Sequence, residues 1–163
     1  MMESDKIQIL EHRCYRGRNI YSHKPVMKMT VDIGRYGRIP TKDIPGFNQK
    51  LLSGFPGLKT NCCSLGYEGG FLKRLEEGTY LAHVLEHTIL EMQAMLGYDV
   101  SFGKTRTVEE PSRYYLVYQY ANEVCGLECG KAAVFVLNHF LEGREVNLKE
   151  LLNNLKEASA DAE

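Results

Sequence analysis

The stretch Thr79-Tyr80-Leu81-Ala82-His83-Val84-Leu85-Glu86-His87-Thr88-Ile89-Leu90-Glu91-Met92-Gln93-Ala94-Met95-Leu96-Gly97 has the clearest periodicity in the chain. Leu81, Val84, Leu85, Thr88, Met92, Met95 and Leu96 recur at helical spacing, Thr79 is placed to cap the start and Gly97 to supply the stop, which predicts a helix over 79–96. Upstream, Met27, Met29, Val31 and Ile33 alternate with Lys28, Thr30 and Asp32, the period of a half-buried strand over 26–33. A weaker strand is expected over 6–14. Gly and Pro break the segment 34–57 repeatedly, leaving room for one short helix over 47–52, and the glycine density of 61–70 predicts a loop. Downstream, the aromatic run 114–120 reads as a strand and 124–141 as a second long helix, whose small residues imply close packing. Asn147 and Glu150 resemble a capping box ahead of Leu148, Leu151, Leu152 and Leu155, a stripe that needs a partner surface. Residues 158–163 read as the start of a linker. No repeat is present, and the order of elements predicts one α+β domain with helices packed on a small mixed or antiparallel sheet.

Composition limits what such a domain does. Twenty Lys plus Arg against 21 Asp plus Glu give a net charge of -1, which argues against nucleic acid as a partner. No apolar run reaches the roughly 18 residues that span a bilayer, and residues 1–10 lack the pattern of a signal peptide, so neither a membrane partner nor export is expected. The expected location is the cytoplasm. The cysteine count, 5, is odd, which favours free thiols or metal ligands over a disulfide framework.

His83-Val84-Leu85-Glu86-His87 matches H-x-x-E-H, a pattern of zinc metallopeptidases. On a helix, His87 lies about 40° around from His83 and Glu86 about 60° to its other side. Two imidazoles one turn apart can chelate one tetrahedral Zn²⁺, and a carboxylate beside them can move a proton between water and a leaving amine. The stripe of Leu81, Leu85 and Met92 falls on the opposite side, so the core does not need these histidines. Leu90 and Ala94 extend their face and partly cover it. The plain alternative is a chance coincidence of polar residues on an exposed face. A third protein ligand is needed; Cys62, Cys63 and the carboxylate of Glu123 are chemically suited, although cytosolic cysteines are more often simply small buried residues.

The chain resembles the N-terminal domain of cyanophycin synthetases. The likeness runs in order through Leu10-Glu11-His12-Arg13, Arg18-Asn19-Ile20-Tyr21, Ile44-Pro45-Gly46-Phe47, Cys63-Ser64-Leu65-Gly66, Gly69-Gly70-Phe71, Glu77-Gly78-Thr79, the H-x-x-E-H motif, Phe102-Gly103-Lys104-Thr105-Arg106 and Ala132-Ala133-Val134. In that family the domain precedes an ATP-grasp and a Mur-ligase-like domain, which use ATP with Mg²⁺ to build a poly-Asp backbone bearing Arg branches. Neither ligase domain is in this sequence, and no Gly-x-x-x-x-Gly-Lys-[Ser/Thr] loop occurs in it. The resemblance implies a domain over 1–157, with the remaining synthetase domains and cyanophycin as partners. It further implies polymer binding and, where the histidine motif is kept, zinc-dependent hydrolysis of cyanophycin into short primers. Its metal set would be Cys63, His83 and His87, with Glu86 as the general base.

Two departures stand out: Cys62 precedes the matching cysteine as a competing thiol, and Lys104 stands where many relatives have arginine. Polymer carboxylates are expected to meet Lys104 or Arg106, and guanidinium branches Glu123, Glu68 or Tyr67. A non-catalytic tether for the ligase domains is the rival reading. A closed structural zinc site, with Cys62 as fourth ligand, is a third.

Overall fold

The computed structural model describes residues 4–62, 66–108 and 112–161. Four strands, β1 (Gln8–Tyr15), β2 (Val26–Asp32), β3 (Gly103–Thr107) and β4 (Arg113–Gln119), form one sheet in the order β1-β2-β4-β3. Every neighbouring pair is antiparallel, as the α+β expectation allowed. The alternation that predicted β2 is realised in packing: Met27, Met29 and Val31 are buried on the inner face with Leu116 and Tyr118 of β4. On the other face Lys28 Nζ lies 4.7 Å from the centre of the Tyr115 ring, a cation–π contact across neighbouring strands.

Among the described residues five α-helices complete the fold: α1 (Phe47–Gly54), α2 (Gly70–Glu77), α3 (Leu81–Met95), α4 (Glu123–Leu141) and α5 (Leu148–Asp161). Helix α3 packs on α4 and on strands β3 and β4. It is buried on nearly all sides, since Glu86, His87, Leu90 and Gln93 are as enclosed as Leu81, Leu85 and Met92. The histidine face is covered by Leu90 and stays half-open at His83, the semi-enclosed setting expected, though Ala94 is exposed and covers nothing. The helix is central to the molecule and open at its last turn, where Ala94 and Met95 are exposed.

Helix α4 is capped by Asn122, whose Oδ1 accepts from the Cys125 N–H at 2.9 Å. Its small residues do what the sequence implied: a Cβ at Gly130 would stand 2.4 Å from the Tyr118 hydroxyl oxygen, so only glycine lets α4 approach the sheet there. Among the described residues α4 is the one helix long and apolar enough to cross a membrane, and 56% of that apolar window is buried in the domain. Asn147 caps α5, its Oδ1 accepting from the Glu150 N–H at 3.1 Å. The leucine stripe of α5 finds its partner within the chain: Leu155 is buried and Leu148, Leu151 and Leu152 pack against the core. Residues 158–161, expected as linker, are the last turn of α5, and Ser159 is buried there, its carbonyl accepting from Asn122 Nδ2 at 3.2 Å.

Two elements are absent from the sequence reading. One is α2, which directly follows the glycine-dense loop, and the other is β3, a polar edge strand of sequence Gly-Lys-Thr-Arg-Thr. Both border the candidate site.

Candidate metal centre and cleft

His83 and His87 are successive-turn residues of α3, and their Nε2 atoms face each other at 3.1 Å. Two nitrogens bound to one tetrahedral zinc at about 2.0–2.1 Å lie about 3.3 Å apart, so the rings stand at a spacing that fits two ligands of one ion. Each ring is held from behind. His83 Nδ1 pairs with Thr79 Oγ1 at 2.9 Å, and His87 Nδ1 with Asn61 Oδ1 at 3.0 Å. A carboxamide oxygen only accepts, so with the amide in this orientation Asn61 requires the proton on His87 Nδ1 and leaves Nε2 with its lone pair. The Thr79 hydroxyl can accept or donate, which allows His83 either tautomer.

Thr79 thus has a different task from the expected one. Tyr80 occupies the N-cap position of α3 without a side-chain cap, and the Thr79 hydroxyl is spent on the histidine a turn later. The Thr41 N–H donates to the Thr79 carbonyl at 2.8 Å, fixing the turn between α2 and α3. Phe71 of α2 stacks on His87, with ring centres 4.0 Å apart and planes at 22°, and meets His83 edge-on at 5.5 Å. Ring orientation is therefore set by α2, α3 and the segment around Asn61 together, the outer support that histidine ligands ordinarily have.

Glu86 completes a cluster whose ligand atoms all lie within 4.8 Å of one another. Its Oε2 is 3.6 Å from His87 Nε2, while its Oε1 accepts from Thr105 Oγ1 of β3 at 2.7 Å. Burial raises the Glu86 carboxyl to about 7 against the weaker opposing pull of the Thr105 bond and Arg106. Burial likewise lowers His83 to about 4, helped by Arg74, and His87 to about 3, helped by His83. Both imidazoles are neutral at pH 7, the state in which they ligate metals, and the carboxyl is poised to exchange a proton there.

A cleft of about 620 Å³ opens over this cluster. Its walls are α3, the Asn61–Cys62 segment, Arg74 of α2, Tyr80, Tyr114 and the run Ser101 to Arg106. Lys104 and Arg106, expected as anion contacts, line it. Tyr67 and Glu68 do not; both are exposed in the turn before α2. Glu123 is not brought to the site either, as metal ligand or as substrate contact. It sits at the start of α4, where both of its oxygens hold Arg16, at 2.6 and 2.9 Å. Cys62 is exposed and lines the cleft without joining the cluster of mutually reachable ligand atoms. Cys63 lies outside the described residues. Sequence reasoning missed Asn61, Phe71, Arg74, Thr79 and Thr105 as site residues. For Thr79 a signal existed, since it stands four residues before His83 in a helical register.

The cyanophycin synthase-like N-terminal domain model matches residues 28–142. The chain is also 36% identical over 153 residues to a cyanophycin synthetase of Synechocystis sp., covering 93% of this chain and 18% of that protein. Cyanophycin synthetases of Crocosphaera subtropica and Trichormus variabilis are each 36% identical, over 161 and 162 residues and 96% of this chain. The chain therefore spans about a fifth of the length of these curated relatives. A match across most of the chain, with the histidine cluster and its cleft inside the matched segment, shows that this chain belongs to the family of cyanophycin synthase-like N-terminal domains.

Proposed function

We propose that this domain binds cyanophycin in the cleft and hydrolyses its main chain with zinc held by His83, His87 and Cys63, releasing short primers for the ligase domains of a synthetase. The observation that carries the reading is the pair of facing Nε2 atoms backed by Thr79 and Asn61, with a buried carboxylate beside them. Cys63 enters through the family resemblance, supported by its chain neighbours Asn61 and Cys62, both of which line the cleft. Bound zinc would supply Lewis acidity toward the scissile carbonyl and the attacking water.

The remaining work falls to side chains. Glu86 takes the proton from the attacking water and returns it to the leaving amine nitrogen, a two-way role suited to a carboxyl raised to about 7. Thr105 holds one Glu86 oxygen and so aims the other toward the histidines. Lys104 and Arg106 draw polymer carboxylates to the β3 wall, and Arg74 adds a third cation to the lining of the cleft. A domain used only as a tether has no need of a buried carboxylate against two imidazoles, a placement that costs folding energy.

The test is to incubate the zinc-loaded chain with insoluble cyanophycin and follow soluble Asp-Arg oligomers. Glu86→Gln should slow their release by about 10²–10⁴-fold while retaining zinc. Equal release by both proteins would remove Glu86 from the mechanism. Polymer pull-down without release by the wild type would leave the tether.

A further inference from the structure

Strand β3 is the last strand of the sheet, and among the described residues no strand pairs with its second edge. The direction of its backbone groups follows from the register. The Gln119 N–H donates to the Phe102 carbonyl at 2.9 Å and the Val108 N–H to the Arg113 carbonyl at 3.0 Å. Between these, Lys104 faces Val117 and Arg106 faces Tyr115. In an antiparallel ladder such positions alternate, so Phe102, Lys104, Arg106 and Val108 spend their backbone groups on β4. Gly103, Thr105 and Thr107 present theirs outward. One is already in use, for the Arg106 guanidinium donates to the Thr105 carbonyl at 2.8 Å.

We infer that the outward edge of β3 takes the polymer main chain as an added antiparallel or parallel strand, so that backbone hydrogen bonds at Gly103 and Thr105 set the register of cleavage beside Glu86. This rests on reading the cleft as a polymer site. The edge lies where cleavage needs it: a Cβ at Gly103 would stand 2.7 Å from Glu86 Oε2, and the Thr105 hydroxyl holds Glu86 Oε1. A strand added about 4.8 Å beyond β3 lies beside Gly103 and Thr105, both of which line the cleft.

The occupant is identified by charge and by spacing. Lys104 and Arg106 project from the same face of β3 two residues apart, about 6.7 Å. An extended chain repeats its own side groups at that interval, so acidic groups on alternate residues meet successive cations. Glu86 is the one acidic residue among the described residues lining the cleft. The carboxylates of the extended polymer chain fit this edge, and its arrival frees the Arg106 guanidinium from the Thr105 carbonyl for one of them.

The test uses the zinc-loaded Glu86→Gln chain and a soluble four-unit Asp-Arg oligomer of cyanophycin, read by amide hydrogen exchange. Saturating oligomer should slow exchange at Gly103 and Thr105 by about tenfold or more and leave Lys104 and Arg106 unchanged. An oligomer N-methylated on alternate main-chain nitrogens should bind about tenfold more weakly. Binding with unprotected edge amides, or equal affinity for the methylated oligomer, overturns the pairing. Protection that grows with protein concentration alone overturns it in favour of edge-to-edge dimers. Cleavage of polymer by the wild type without edge protection discards the pairing and keeps the hydrolase. Protection without cleavage does the reverse.

Discussion

Histidines shielded from water occupy two places in this domain, the pair His83 and His87 and the single His12, and the places differ in what surrounds them. The rings at both are held neutral, with His12 and His83 lowered to about 4 and burial the leading cause in each. His12 Nε2 lies 2.7 Å from the Tyr118 hydroxyl, which donates onward to the Gly126 carbonyl at 2.8 Å. Tyr118 must therefore accept from His12 Nε2–H, leaving His12 Nδ1 as a buried acceptor without a partner. Cys125 and Cys129 lie nearby in α4 with their sulfurs 3.7 Å apart, and Gly130 closes over the Tyr118 hydroxyl with no room for a methyl group. This second place is a packed joint between sheet and helix. At α3 the rings converge on one point, are braced from outside and border a cleft. A shifted pKa is common to both places; convergence and access separate them.

The sharpest way to break the comparison is metal analysis. His87→Ala should abolish stoichiometric zinc in the purified chain, whereas His12→Ala should leave it intact; zinc lost from both, or from neither, would dissolve the distinction. A smaller effect probes the bracing. Asn61→Ala should weaken zinc binding by about 10–100-fold in a chelator competition, and the His87 ring nitrogens should report a mixture of tautomers by NMR. An unchanged affinity would mean that stacking on Phe71 orients the ring unaided.

The smallest effect belongs to the closed joint. With a folded pKa near 4 against 6.5 unfolded, His12 takes up its proton first in the unfolded chain. Its share of stability is whole above pH 6.5 and is lost as pH falls toward 4. His12→Gln should therefore flatten the acid limb of stability against pH, measured by urea midpoints on otherwise identical proteins. An unaltered limb would show that His12 titrates alike in both states.

Legibility in the sequence followed the same division. β2, α3, α4 and α5 announced themselves because each spends a regular set of apolar residues on one core: Met27, Met29 and Val31 in β2, or Val136, Leu137 and Phe140 in α4. β3 gave no such signal. Its five residues are polar because one edge and one face look outward, and its place is fixed from elsewhere, by Gln119 Oε1 accepting from the Ser101 and Phe102 N–H groups at 3.1 and 3.2 Å. α2 was hidden behind glycines. The motif on α3 was readable from helical geometry alone, since its three members share one helix. Its supports come from three other segments, and no spacing rule relates Asn61 or Thr105 to His87 and Glu86. The α5 stripe was read correctly as needing a partner, yet that partner proved to be the chain's own core.

Gly103 divides the β3 wall into two kinds of position. No side chain fits at 103 without displacing the Glu86 carboxylate, so variation there moves the one acidic group of the cluster. Its neighbours Lys104 and Arg106 make no hydrogen bond to the cluster; Lys104 lines the cleft beside it, and Arg106 acts on Glu86 only through its charge. Substitution at Lys104 would change the charge of the cleft wall and leave Glu86 as it is, whereas substitution at Arg106 would also raise the Glu86 carboxyl further. The wall is thus open to changes of charge at 104 and closed to any side chain at 103, a boundary drawn by a single missing methyl group.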